Sequence, residues 1–273
     1  MTPNNRTLGD QGSSLLTEMS RQGKRIFTFE DAAKVHGGSG GGLHKSMFTL
    51  VKRGWLQRIE KGKYLILPFE AGREGEWTEH EFVIASHLIA PYYVGFRSAL
   101  NYYGYTEQVS RTVFVASTKR KLKPAIEISG VTYRFVCLKE NKFFGATQAV
   151  VDGNSVNISD REKTIVDCLD LQKYSGGIVE VAKAISFGRD ELDFPKMSEY
   201  ALRNGNRAVS KRLGYLLDRL DIKADKAISI LRESLGNNYT RLDTLADPQG
   251  QHNRRWRVIV NVSEKEFMQW TEG

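Results

Sequence analysis

The sequence predicts an α+β protein. An N-terminal winged helix-turn-helix occupies residues 13–69, and a second α+β domain occupies 76–273. The second domain has a sheet-containing part at about 96–158 and a mainly helical part at about 159–240. Three observations predict this. Residues 28–67 read, without a gap, as helix, glycine-rich turn, helix and β-hairpin. Short β-prone runs follow between 112 and 138, broken by a Ser-Gly turn signal. Beyond 159 the apolar spacing becomes helical, most clearly at Leu213, Leu216, Leu217 and Leu220.

Each element has its own signal. Leu15, Leu16 and Met19 suit a short amphipathic helix over 13–22, after a polar stretch 1–12 with no expected fold. Thr28 is a natural N-cap, with Glu30 and Asp31 favouring the positive end of a helix that runs to His36. Residues 37–42 hold five glycines in six positions. A P-loop would need a preceding strand and a glycine directly before Lys-Ser. Here a helix precedes and His44 intervenes, so a turn between two helices is the better reading. Leu43, Met47, Leu50 and Val51 then form one buried stripe of a helix over 43–53, and Gly54 supplies its left-handed cap. Two strands, 55–59 and 63–67, flank a three-residue loop, Glu60-Lys61-Gly62.

The linker is placed at 68–76. Thr78 with Glu81 reads as a capping box opening a helix that ends before Pro91. Phe96–Tyr105 reads as a short helix closed at Gly104. Thr112–Ala116 is a strand, 118–123 (TKRKLK) a basic loop, and Ile126–Ile128 and Val131–Leu138 a hairpin. Ser159 with Glu162 reads as a second capping box. Short helices follow over 178–185 and 225–235, and a last strand over 257–262.

Charge narrows the function. The chain carries 40 Lys and Arg against 32 Asp and Glu, a net charge of +8. Residues 1–70 hold 11 basic against 6 acidic side chains. A basic block beside a recognition-type helix suits phosphate backbones. The expected DNA contacts are His44, Lys45, Ser46, Thr49, Lys52 and Arg53 on the helix, and Arg58, Lys61 and Lys63 at the hairpin tip. Phe48 is either a contact to a thymine methyl or a packing residue.

Other chemistry is poorly represented. The chain has no GxSxG, HExxH, paired CxxC or GxGxxG pattern, so it reads as a non-enzyme with no cofactor and no metal. His80 and His87 lie seven apart without a third ligand. Asp160, Glu162, Asp167 and Asp170 read as a solvated helix face. Cys137 and Cys168 sit in apolar contexts and read as buried small hydrophobes. No run of about 18 apolar residues exists to span a bilayer, and the N-terminus lacks an apolar signal core, so a cytoplasmic location without membrane contact is expected.

Several runs then carry a resemblance. Residues 54–64 (GWLQRIEKGKY), 97–105 (RSALNYYGY), 143–145 (FFG), 156–170 (VNISDREKTIVDCLD), 175–178 (SGGI) and 211–218 (KRLGYLLD) resemble, in this order, the AbiEi family. These are antitoxins and transcriptional regulators of type IV toxin–antitoxin systems. The resemblance covers roughly residues 14–240, and the run 156–178 is its specific part. It implies a DNA-binding autorepressor that recognises inverted repeats in its own promoter. It also implies an antitoxin acting against a nucleotidyltransferase toxin without a stable complex, in a phage-defence operon. The glycine turn at 37–42 departs from the family, whose turns are shorter. The residues also admit two other uses: a winged helix that binds the toxin directly, or a nucleic-acid-processing enzyme.

Overall fold

The computed structural model describes residues 8–38, 40–67, 79–108 and 110–268. It is an α+β structure with an N-terminal region of helices and strands, a mixed sheet in the middle and a mostly helical C-terminal region. The chain divides into two compact units, Met1–Leu88 and Ile89–Gly273. That division falls later than the linker suggested by the sequence. The linker itself, and the Thr78 cap, lie outside the described residues.

In the first unit α1 spans Asp10–Arg21, starting three residues before the expected Ser13. β1 (Ile26–Thr28) leads directly into α2 (Phe29–His36). The Thr28 hydroxyl accepts from the Asp31 amide at 3.1 Å, and the Asp31 carboxylate accepts from the Thr28 amide at 2.9 Å. This reciprocal pair fixes where strand becomes helix. Lys24 and the Thr28 amide hold the Asp31 carboxyl down to about 2. Gly37 ends α2 in the left-handed conformation, φ 76°.

α3 spans Gly41–Lys52, so two of the glycines assigned to the turn are helical. Glycine costs least in a first turn, where the amides lack intrahelical partners in any case. Leu43, Met47 and Leu50 are buried in one core with Leu15, Leu16, Met19, Phe27, Ala32, Trp55 and Leu56. β2 (Leu56–Glu60) and β3 (Lys63–Ile66) form the hairpin. Glu60 pairs with Lys63, leaving a two-residue turn, Lys61-Gly62, in place of the expected three. A register shift between Arg58 and Glu60 accommodates the difference. β3 also pairs antiparallel with β1, giving a three-stranded sheet in the order β1-β3-β2. α4 (Glu81–Ser86) completes the unit. Arg25 reaches the buried Glu79 at 3.1 Å, and Lys63 donates to the His87 carbonyl, so both ends of α4 are tied to the strands.

The second unit is built on a six-stranded sheet. Its strands are β4 (Tyr93–Val94), β5 (Thr112–Ser117), β6 (Ala125–Ile128), β7 (Val131–Cys137), β8 (Ala146–Val151) and β9 (Asn154–Ser159), in the order β6-β7-β5-β4-β9-β8. β5 and β7 run parallel, as do β4 and β9. The β6–β7 hairpin turns at Ser129-Gly130, both with positive φ, as the sequence predicts. The β8–β9 hairpin is not predicted. Its turn, Asp152-Gly153, is an equally plain signal, with φ values of 47° and 75°.

Helices α5 (Phe96–Tyr102), α6 (Arg161–Asp170), α7 (Ile178–Phe187), α8 (Phe194–Asn204), α9 (Arg207–Arg219) and α10 (Asp225–Glu233) follow in chain order. Their apolar faces meet in one core with Phe114, Ala116, Val136 and Leu138 from the sheet. Leu213, Leu216 and Leu217 are fully buried there. The cap of α6 is Asp160, not Ser159: its carboxylate accepts from the Lys163 amide at 2.8 Å. Ser159 is the last residue of β9 and is inside the sheet edge. A small third sheet, β10 (Thr240–Arg241), β11 (Gln251–Asn253) and β12 (Val258–Val260), is ordered β10-β12-β11, and α11 (Glu264–Met268) closes the described chain. The sequence supplies only its β12. No helix among the described residues is long and apolar enough to cross a membrane.

Candidate nucleic-acid interface

The residues expected to contact DNA do share one structural context, but not one degree of freedom. α3 buries Leu43, Met47 and Leu50, and its opposite side exposes His44, Lys45, Phe48 and Lys52. Phe48 is 69% exposed, which removes packing on a neighbouring helix as its role. The His44 ring stacks on Phe29 of α2 at 4.4 Å, which fixes its direction from below. Ser46 is half-buried, with its hydroxyl 3.4 Å from Gln11 of α1. Thr49 donates to the Lys45 carbonyl one turn back at 2.8 Å. Arg53 caps the helix and is half-buried.

The amino end of α3 has no acidic residue in its first turn and no side-chain cap on Gly40. α2 differs: Glu30 and Asp31 occupy its first turn. The positive end of the α3 dipole is therefore unopposed by its own side chains. Gly41 and Gly42 keep it bare of side chains as well, and both are exposed. The sequence alone places these two glycines in the turn 37–42, whereas here they open the helix. No Asp or Glu occurs between Asp31 and Glu60, so no carboxylate of this stretch opposes that positive end.

At the hairpin, Arg58 and Lys61 are exposed, and Arg58 bonds the Glu60 carbonyl at 3.3 Å. Lys63 has a different position. It donates to the His87 carbonyl and lies 3.7 Å from Glu60, so it is engaged in joining β3 to the end of α4. The basic tip is thus Arg58 and Lys61.

The remaining candidates resolve as structure. His80 and His87 are the N-cap and C-cap of α4, and His80 accepts the Phe82 amide at 3.1 Å. Among the described residues no three His, Cys, Asp or Glu side chains gather as metal ligands. Cys168 is buried, and burial pushes its thiol above the usual range. Cys137, expected to be buried, is exposed: it ends β7 where the strand leaves the sheet.

The acidic run on α6 is not a solvated face. Glu162 and Asp167 are buried, and the Asp170 side chain is 4% exposed. Each has partners from distant sequence. Glu162 bonds Lys196 at 2.8 Å and the Asp193 amide at 3.0 Å. Asp170 bonds Lys142 at 2.5 Å and Asn206 at 2.7 Å. Asp167 accepts from Tyr93 at 2.7 Å and pairs with the fully buried Lys163. Burial pushes the Asp167 carboxyl up, against the downward pull of Lys163 and Tyr93. These carboxylates lock α6 to the helices and strands around it.

No protein-family model matches the chain, and no curated protein matches it. Among solved structures, the crystal structure of the RV2827C protein from Mycobacterium tuberculosis is similar, with a TM-score of 0.68 over 99% of this chain and 98% of that one. The two sequences are 14% identical, so the likeness concerns the fold.

Proposed function

We propose that the first unit is a winged helix-turn-helix that binds double-stranded DNA, with α3 as the recognition helix and the β2–β3 hairpin as the wing. The observation that carries this reading is the composition of α3's outer side. It offers Lys45, Phe48 and Lys52 with no carboxylate, above an uncapped, glycine-lined amino end. Lysines and bare amides suit phosphate oxygens, and an exposed aromatic suits a thymine methyl in the major groove. Arg58 and Lys61 on the hairpin are suited to the adjacent backbone or minor groove. Helix α2 sits behind α3 and orients it through Phe29 and His44.

Taken with the resemblance of residues 156–178 and the other runs to AbiEi proteins, this supports a fuller reading. The chain is a transcriptional autorepressor acting on inverted repeats in its own promoter. It is also the antitoxin of a type IV system, countering a nucleotidyltransferase toxin without forming a stable complex. The second unit is the antitoxin part. The test is a gel shift with the DNA upstream of its own reading frame. Wild-type protein shifts it specifically, and Lys45→Ala with Lys52→Ala abolishes the shift. Undiminished specific binding by that variant would remove α3 from the interface. Co-expression with the neighbouring reading frame tests the antitoxin part: growth arrest relieved by the second unit is the expected result.

A further inference from the structure

A second basic site lies in the C-terminal region, around α9, whose Lys211 opens the run 211–218 that shares in the resemblance but receives no role from it. α9 starts at Arg207, and Lys211 lies one turn further along the same side. Lys211 is 3% exposed, yet its ammonium donates to a neutral group, the Asn238 carbonyl. Arg257, with φ 54°, stands over the Tyr239 ring at 5.7 Å. The Arg207 guanidinium closes on Gly236, where an added Cβ would fall 2.9 Å from Nη1. Three cations therefore surround one short segment, Gly236–Tyr239. Among the described residues none of the three is paired with a carboxylate.

The neighbouring Arg212 shows the contrast. It donates to the Leu169 and Arg241 carbonyls and has Asp170 and Asp243 nearby to offset its charge. Lys211 has no such offset. Burial pushes its pKa down, and Arg207 and then Arg257 push it further. Holding like charges together without a counter-charge is costly, and an anion removes that cost. The amino end of α9 adds its partial positive charge on the same side. Arg207 is exposed and Arg257 half-buried, so the cluster opens to solvent. Beside it, Tyr239 and His252 meet edge to face at 4.7 Å, with His252 exposed.

We propose that Arg207, Lys211 and Arg257 hold the terminal phosphate of a nucleotide, free or at the end of a nucleic-acid strand, with the Tyr239–His252 pair receiving the base. Two guanidinium forks and an ammonium match the charge and the several acceptor oxygens of a phosphate monoester. His252 is exposed and Tyr239 half-buried, so the pair presents a ring to solvent beside the phosphate site, and an accessible ring there accepts a base by stacking. The site is independent of the DNA reading of the first unit.

The test is calorimetric titration of the full chain with inorganic phosphate, adenosine monophosphate, and a short oligoribonucleotide with and without a terminal phosphate. Phosphate and the mononucleotide bind where chloride at equal ionic strength does not, and the mononucleotide binds more tightly. Arg207→Gln and Arg257→Gln, both at solvent-accessible positions, each weaken binding about tenfold or more, with thermal unfolding and the promoter gel shift unchanged. Preference for the phosphorylated oligonucleotide over both the mononucleotide and the unphosphorylated strand makes a strand end the source. Preference for the mononucleotide makes it the free nucleotide. The proposal is overturned if none of the phosphate-bearing probes binds better than chloride, or if the double variant Arg207→Gln/Arg257→Gln binds them as wild type does.

Discussion

Single residues in this chain separate cleanly into those that hold the fold and those left to meet a partner. Lys163 and Asp167 are the clearest of the first kind, one turn apart on α6 and both buried. Removing one charge of such a pair strands the other, so Lys163→Met is expected to cost about 3–5 kcal/mol. Lys163→Met with Asp167→Leu, which removes both charges, is expected to recover most of that loss. Urea denaturation of the two variants measures both numbers, and a double variant as unstable as the single one would contradict the pairing. Thr28 and Asp31 make a smaller contribution at the start of α2. Thr28→Ala should cost about 1 kcal/mol. Because the Asp31 carboxyl is held down to about 2, its contribution is fully present above the ordinary carboxylate range and is lost as pH falls through about 2. Acid titration of wild type and Asp31→Asn followed by circular dichroism checks the sign: the difference between them narrows toward low pH. The Thr28 cap was legible because N-capping is a local property. The burial of Glu162, Asp167 and Asp170 was not, since their partners Lys196, Tyr93 and Lys142 are far away in sequence. No spacing rule shows that a run of carboxylates will be covered.

At the scale of elements, two contacts set geometry that no propensity predicts. α9 carries Gly214 directly against the Trp256 ring, which leaves no room for a Cβ. That approach seats the small third sheet on α9, with Trp256 fully buried. Gly214→Ala must displace Trp256, and overpacking of this kind costs about 1–3 kcal/mol. A fall in denaturation midpoint accompanied by a shift of tryptophan fluorescence is the expected result; an unchanged midpoint would show that the sheet yields freely. α3 illustrates the opposite case. Its buried stripe, its limits within two residues and the left-handed Gly54 after it were readable from a 3.6-residue period and a glycine. Lys63 has a use that its place in the sequence does not show. It sits at the hairpin tip in sequence, yet it is used to tie β3 to α4. Lys63→Ala is therefore expected to lower stability more than it lowers DNA affinity, whereas Lys61→Ala should lower affinity alone. Paired melting and gel-shift measurements on the two variants separate these outcomes. The β8–β9 hairpin is hard to read for a simpler reason: β8, ATQAVV, exposes Val150 and buries Ala149, so its apolar residues do not mark the buried face.

For the whole molecule, the two units divide the chemistry. The first presents Lys45 and Lys52 on α3 and Arg58 and Lys61 at the hairpin tip, while the second pairs charges around α6 and holds Arg207, Lys211 and Arg257 together at α9. Overall net charge would not have separated these uses; the distribution of carboxylates does. The central claim, that α3 and the wing hold a DNA backbone, is tested most directly by the salt dependence of promoter binding. Fluorescence anisotropy across a range of salt concentrations gives the slope of log affinity against log salt. Wild type should show a steep negative slope, and each lost phosphate contact should reduce it by roughly 0.9. Lys52→Ala with Lys61→Ala is therefore predicted to flatten it by about two. A wild-type slope near zero, or the same slope in the variant, would contradict the account.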